Sequence, residues 1–197
     1  MQPPVKLGLP KSLFGTLYGK SASIQSFANE RTKTTYDYVI FGGPPLTTVV
    51  FALTDDKEII AIRQFRHGAE DFMLELPGGV PQDGEAGEEN ARNELLQETG
   101  YSFESIVALT PEPTYFDPAS WRTKFQAFLA RGCSKIYHQN LDPTEDIEVV
   151  KMPIPDWLRL IESGEVRDAK SIAVTFLAMR ILGSRWEAER SGHLRGR

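Results

Sequence analysis

Glu94 and Glu98 stand four residues apart within GGVPQDGEAGEENARNELLQETGY, residues 78–101. On a helix that spacing sets both carboxylates on one face, a turn apart. Two such carboxylates repel each other unless a cation lies between them. Hard divalent ions such as Mg²⁺ take oxygen ligands and keep several positions for water or substrate phosphates. The Gly78-Gly79 turn upstream lets a backbone carbonyl approach the same point with no side chain in the way. Glu88 and Glu89 have a plainer explanation, because acids in a first helical turn complement the helix dipole. A solvated acidic face is the competing reading, and the pair alone does not exclude it.

The elements around this stretch are legible. Residues 36–41, 47–54 and 58–64 are rich in β-branched and aromatic types, and Asp55-Asp56-Lys57 between the last two reads as a hairpin turn. FMLELP (72–77) is a further strand, stopped by Pro77 and the two glycines. The acidic helix ends at Thr99-Gly100, where glycine supplies a left-handed cap. Strands follow around 104–110, 123–130 and 146–151. One helix starts near Asp156 and stops before Gly164; another starts after Asp168, an N-cap residue, with Ile172, Phe176 and Met179 on a core-facing stripe. Strands on both sides of a central helix, closed by two helices, predict an α/β domain with a mixed sheet covered on both faces.

The full spacing narrows the chemistry. Gly79, Glu85, Asn93-Glu94-Leu95, Gln97-Glu98 and Gly100-Tyr101 resemble the Nudix box, G-x5-E-x7-R-E-U-x-E-E-x-G-U with U a bulky apolar residue. IRQFRHG followed by MLELPGGV resembles the run into the box in ADP-ribose pyrophosphatases and related nucleotide-sugar hydrolases. LDPTEDIEV and GEVRDAKSIA resemble later segments of that subgroup, so the likeness spans Tyr36 to Met179. The resemblance implies a Nudix-type α/β/α sandwich that uses Mg²⁺ or Mn²⁺ to hydrolyse a nucleoside diphosphate joined to another group. It also implies a homodimer formed through N-terminal strands, which would employ residues 20–47.

Carried over by position, Glu94 and Glu98 are metal ligands and catalytic, with the Gly78 carbonyl and the Gln97 amide as further metal contacts. Glu85 is the supporting acid at the loop–helix junction. Arg63, Arg66 and Glu75 match substrate-binding positions, guanidinium forks being suited to diphosphate oxygens. Glu145 matches an acid near substrate or metal. For Arg63, Arg66 and Glu145 an ordinary surface role is the competing reading.

Two departures bear on the box. The family's arginine is Asn93 here, and the first acid of its Glu-Glu pair is Gln97. With Asn90 they form a neutral amide strip beside Glu94 and Glu98. One cation and one anion are lost together, so the expectation is weaker metal binding with the fold intact. Pro143 stands where some members place a water-activating glutamate, and YFDPASW (115–121) lacks the subgroup's Pro-Gly. Asp117, Asp142 and Asp146 remain open as the general base. These departures support an alternative: a weakened module that binds a nucleotide as sensor or scaffold.

Composition sets the outer bounds. The 197 residues carry a net charge of −5, which gives no reason to expect nucleic-acid binding. The single cysteine, Cys133, excludes an internal disulfide and reads as a buried, inert thiol. No apolar run approaches the roughly eighteen residues of a membrane helix. Residues 1–29 lack acids, as mitochondrial transit peptides do, but no arginine precedes Arg31 and prolines interrupt any long amphipathic helix. The expectation is a cytoplasmic protein, with the mitochondrion as alternative. It would have an N-terminal arm over 1–35, one Nudix-like domain over 36–182 and a flexible tail over 183–197.

Overall fold

The structure, a computed structural model, describes residues 5–17, 20–44, 46–82 and 84–193. The chain divides into two units, Met1–Thr47 with Thr114–Phe125, and Thr48–Pro113 with Gln126–Arg197.

In the first unit, β1 (Val5–Leu17), β2 (Lys20–Asn29) and β3 (Thr34–Gly42) form an antiparallel sheet in that order. The β2/β3 ladder runs without a break from Ser21 opposite Gly42 to Asn29 opposite Thr34. Within the arm expected over 1–35, residues 5–17 and 20–29 are therefore strands. Gly8 at φ 63 and Pro10 obscured the first of them, and both are tolerated because β1 is an edge strand whose register with β2 shifts at three points.

The seven-stranded sheet is built on β4 (Leu46–Leu53), β5 (Glu58–Arg66), β6 (Asp71–Glu75), β8 (Ser105–Ala108), β9 (Thr114–Tyr115), β10 (Lys124–Arg131) and β12 (Ile147–Pro153). Its order is β12-β5-β4-β10-β8, with β6 also on β5 and β9 on β10. A two-stranded piece pairs β7 (Tyr101–Ser102) with β11 (Ser134–Lys135). The expected hairpin at Asp55-Asp56-Lys57 is present, with Lys57 at φ 62 and Thr54 N–H donating to Glu58 O at 3.0 Å.

Strand parity decides what each face of β5 carries. Ile60, Ile62, Gln64 and Arg66 alternate onto one face, while Ala61, Arg63 and Phe65 point to the other. On the first face Ile60 packs with Val50, Ala52 and Phe128 against Ala91 and Leu95 of α1 (Gly87–Thr99), a fully apolar contact. Helix α1 ends as expected: Gly100 adopts φ 77 and its N–H donates to Leu96 O at 2.8 Å.

The remaining helices are α2 (Ile154–Glu162) and α3 (Ala169–His193). Asp168 caps α3 through bonds from Ser171 N–H and Oγ–H, at 2.9 and 2.7 Å. The buried Trp157 indole donates to Thr175 Oγ1 at 2.8 Å, fastening α2 to α3. Helix α3 continues past Gly183, where the sequence suggested a tail. The residues after that glycine include Arg, Glu and Ala, strong helix formers, and one interior glycine costs a helix only about 1 kcal/mol. The end of the expected tail, residues 194–197, lies outside the described residues.

Candidate active site

The glycine turn between β6 and α1 is held to β4 by backbone bonds. Thr48 N–H donates to Gly79 O at 2.8 Å, and Val50 N–H donates to Pro77 O at 2.9 Å. Asn90, buried on α1, adds a donor to Gly79 O at 3.2 Å and to Thr48 Oγ1 at 2.7 Å. A Cβ on Gly79 would collide with the Glu94 carboxylate, and one on Gly78 with the Thr48 carbonyl. At position 78, where the neighbours are backbone and φ is 154°, only glycine allows this approach, whereas at 79 the Glu94 carboxylate could swing aside.

The turn thereby meets the carboxylate pair. Glu98 is 4% exposed, and its Oε2 accepts the Gly78 N–H at 2.8 Å. Burial pushes the Glu98 carboxyl well above its usual range. The Gly78 bond and Arg66 oppose that rise, while the charges of Glu94 and Glu145 add to it. Glu94 is pushed up to about 7, first by burial and then by the charges of Glu145, Glu85 and Asp142. A buried and a half-buried acid, both raised by neighbouring carboxylates, form a centre of unbalanced negative potential.

Glu145 supplies part of that potential from the loop before β12. Asp142-Pro143-Thr144-Glu145 is a tight turn in which Glu145 N–H donates to Asp142 O at 2.9 Å. In return Asp142 N–H donates to Glu145 Oε2 at 3.0 Å. Pro143 occupies the second turn position, which its fixed φ favours.

Arg66 supplies counter-charge that reaches Glu98. It grips the buried Glu75 through both Nε and Nη2, at 2.9 and 2.6 Å. Its pKa is raised: burial works downward, but the bonds and charge of Glu75 and the charges of Glu98 and Asp168 outweigh it. Arg63, three residues earlier, projects from the other face of β5 and makes a 3.7 Å surface pair with Glu148. It lines a different cavity with Phe72, Leu74, Leu160 and Arg167. Both arginines were expected at one substrate site; their odd spacing sets them on opposite faces of β5.

The two departures from the box also have places. Asn93 donates its amide to Glu85 Oε1 at 2.5 Å, while Glu85 Oε2 accepts Gln82 N–H at 2.9 Å. A neutral bond thus ties the helix to Glu85. Gln97 is exposed, whereas Glu98 beside it is buried, and the Gln97 side chain lines a cavity with Asn93, Tyr137 and Asn140. The Gln97 amide, expected as a metal contact, lies about 100° around the helix from Glu98.

Sequence reasoning passed over Gln64. It is 8% exposed, lies on the Arg66 side of β5, and its Nε2 has no hydrogen-bond partner among the described residues. Its place in IRQFRHG, two residues before Arg66, was the available signal. Cys133 is buried as expected, and burial pushes its thiol up to about 12, which makes it inert.

The donor set suits a hard cation. Every polar side chain at the centre offers oxygen, and Glu94 and Glu98 are desolvated with too little counter-charge. Among the described residues no three His, Cys, Asp or Glu side chains close into a ready cage. Mg²⁺-like ions accept such a site, since one or two carboxylates hold them and substrate phosphates complete the shell. Among the described residues no helix is long and apolar enough to cross a membrane.

Known proteins carry the same pattern. A family model described as NUDIX domain matches residues 43–175. An ADP-ribose pyrophosphatase of Bacillus subtilis is 35% identical over 138 residues, covering 69% of this chain and 74% of that protein. A GDP-mannose pyrophosphatase of Salmonella arizonae is 29% identical over 133 residues, covering 64% and 68%. A crystal structure of an ADP compounds hydrolase superposes with a TM-score of 0.78 at 20% identity, covering 94% of this chain and 97% of the other, a likeness of fold.

Proposed function

The chain belongs to the Nudix family, and from that premise we propose that it hydrolyses the diphosphate linkage of ADP-ribose or a related nucleoside diphosphate sugar. It is a pyrophosphohydrolase of a family that generally uses divalent metals; here the ion is Mg²⁺ or Mn²⁺. The observation that carries the reading is the Glu94–Glu98 pair, desolvated, raised in pKa and pressed against the Gly78-Gly79 turn. Glu94, Glu98 and the Gly78 carbonyl would hold the ion. When bound, it supplies Lewis-acid charge opposite the diphosphate oxygens.

The chain's own groups do the rest. Arg66, oriented by its two bonds to Glu75, offers guanidinium charge to the diphosphate. Glu145 takes the proton of the attacking water. Its Oε2 is oriented by the Asp142 N–H at 3.0 Å. Asn93 keeps α1 bonded to Glu85, which favours hydrolysis over binding alone. The N-terminal sheet, with Val5, Leu7, Leu9, Leu13 and Phe14 exposed on its edge strand, forms a homodimer interface.

The test is phosphatase-coupled phosphate release from ADP-ribose and GDP-mannose with Mn²⁺ or Mg²⁺. Metal-dependent turnover that collapses in Glu98→Gln is expected. No turnover of either compound, or turnover indifferent to Glu98→Gln, would overturn the assignment.

A further inference from the structure

Leu76 N–H is the last backbone donor before Pro77, which has none, and the β5/β6 ladder has already ended at Glu75. A buried N–H without an acceptor is costly. Here a side chain from another helix supplies the acceptor: Leu76 N–H donates to Ser171 Oγ at 2.9 Å, and both residues are buried. Ser171 Oγ–H in turn donates to Asp168 Oδ2 at 2.7 Å, which also accepts Ser171 N–H at 2.9 Å. From the far side, the buried Thr175 donates its hydroxyl to Ser171 O at 2.7 Å and accepts the Trp157 indole N–H at 2.8 Å. These polar groups satisfy one another in an otherwise apolar layer, an arrangement that holds its members rigidly.

The two donors that flank Pro77 are thus spent on two different helices. Leu76 N–H goes to Ser171 of α3, and Gly78 N–H goes to Glu98 of α1 at 2.8 Å. Strand β4 holds the carbonyls, Val50 N–H donating to Pro77 O and Thr48 N–H to Gly79 O. Pro77, its φ fixed by the ring, stiffens the one residue between the two donors. A displacement of Leu76 is therefore passed on to Gly78 rather than absorbed. Gly78 has little slack of its own, since it lies so close to Thr48 that a Cβ would meet the Thr48 carbonyl. Asp168, which Ser171 orients, also adds its charge at Arg66.

We propose that Ser171 is a positioning residue for the ion at Glu94 and Glu98: its hydroxyl sets Leu76 and, through Pro77, the Gly78 N–H and carbonyl against Glu98. The inference rests on the proposed metal-dependent hydrolysis. Ser171 acts through Leu76 and Gly78, without contact with the ion. Its hydroxyl is not needed to build α3. An alanine there would keep the Asp168 cap through its own N–H, and alanine favours a helix more than serine does. What alanine removes is the acceptor for Leu76 N–H.

Mn²⁺ binding to the full chain, read by electron paramagnetic resonance, tests this with no substrate and no turnover. Ser171→Ala should weaken binding about tenfold, the low end for a residue that orients a ligand. Thr175→Ala strands the Trp157 indole but leaves the Leu76 bond; it should melt earlier yet bind Mn²⁺ within about twofold of the parent. In the coupled phosphate assay Ser171→Ala should raise the half-saturating Mn²⁺ about tenfold and keep kcat at saturating ion within about threefold of the parent. Unchanged Mn²⁺ binding in Ser171→Ala, or an equal loss in Thr175→Ala, overturns the inference. A second measurement needs no variant: in the parent protein Mn²⁺ should slow hydrogen exchange at Leu76 N–H together with Gly78 N–H. Protection of Gly78 alone overturns the coupling. A parent protein that binds no Mn²⁺ overturns this inference and the metal-dependent reading together. Binding that weakens in Ser171→Ala, in a protein that hydrolyses nothing, supports the inference and counts against the hydrolase assignment.

Discussion

Helix α1 presents two kinds of polar side chain within a turn of each other. Glu94 and Glu98 face inward, where burial and neighbouring acids push both above the usual carboxylate range. Asn93 and Gln97 have the same four-residue spacing but face outward, exposed and uncharged. Burying two acids with little counter-charge is costly to a protein that gains nothing from it. The inner pair thus marks a place where a ligand must supply positive charge. The outer pair needs no counter-ion and can meet a neutral group. Strand β5 repeats the contrast with arginines: Arg66 is locked to a buried acid beside the inner pair, while Arg63 forms a long surface pair on the other face.

The largest expected effect is on the inner pair. Glu98→Gln should lower kcat by more than about a hundredfold, beyond the range typical of residues that merely support a ligand. The same change should raise the melting temperature of the metal-free protein at pH 8, because it removes a carboxyl whose ionisation burial opposes yet leaves an oxygen for the Gly78 N–H. A variant both inactive and less stable would break the contrast.

Next comes Arg66→Ala, which strands Glu75. Losing one partner of a fully buried pair costs about 3–5 kcal/mol; with Arg66 half open to solvent, about 2 kcal/mol is expected in urea unfolding. Arg63→Ala should change stability by less than about 0.5 kcal/mol. Equal costs at the two sites would show that strand face does not matter.

The pH dependence sharpens the same point. Glu94 has a folded pKa of about 7 against an ordinary value of 4.5. Between those values the folded state binds more protons than the unfolded one, so metal-free stability should fall as pH rises from about 4.5 through 7. Mn²⁺ or Mg²⁺ should offset the fall, most strongly above pH 7, where the ion no longer competes with the proton. Thermal melts at pH 5 and 8, with and without the ion, check both signs. A metal-free melting temperature that rises over this interval would contradict the burial of Glu94.

The smallest effect belongs to the outer pair. Asn93→Asp sets two acids against each other where an amide now bonds to Glu85, and should reduce kcat/KM about tenfold, at the low end for a supporting contact. Asn93→Arg restores a donor to Glu85 and should leave kcat/KM within a few-fold of the parent. A large gain with arginine would mean that the amide was limiting the enzyme.

Local signals were legible in the sequence. Asp55-Asp56-Lys57, the Gly100 cap and the Asp168 cap each act through neighbouring backbone, and each element is where those residues place it. The carboxylate pair needed only helical spacing. The first strand, Val5–Leu17, was hidden because an edge strand accepts Gly8 and Pro10, which elsewhere argue against a strand. Arg63 and Arg66 look equivalent in a motif, yet strand parity already implied opposite faces. The cavity beside Gln97 was out of reach, since Tyr137 and His138 lie some forty residues away and arrive only through the folding of β11 against β7. Likewise nothing local to Asn90 reveals that it bonds to Thr48 and the Gly79 carbonyl.

The most direct measurement is anomalous scattering from crystals soaked with Mn²⁺ and a non-hydrolysable ADP-ribose analogue. A manganese peak bridging the carboxylates of Glu94 and Glu98, in contact with the diphosphate, is the predicted result. An analogue seated in the cleft with no peak between those two side chains would contradict the account.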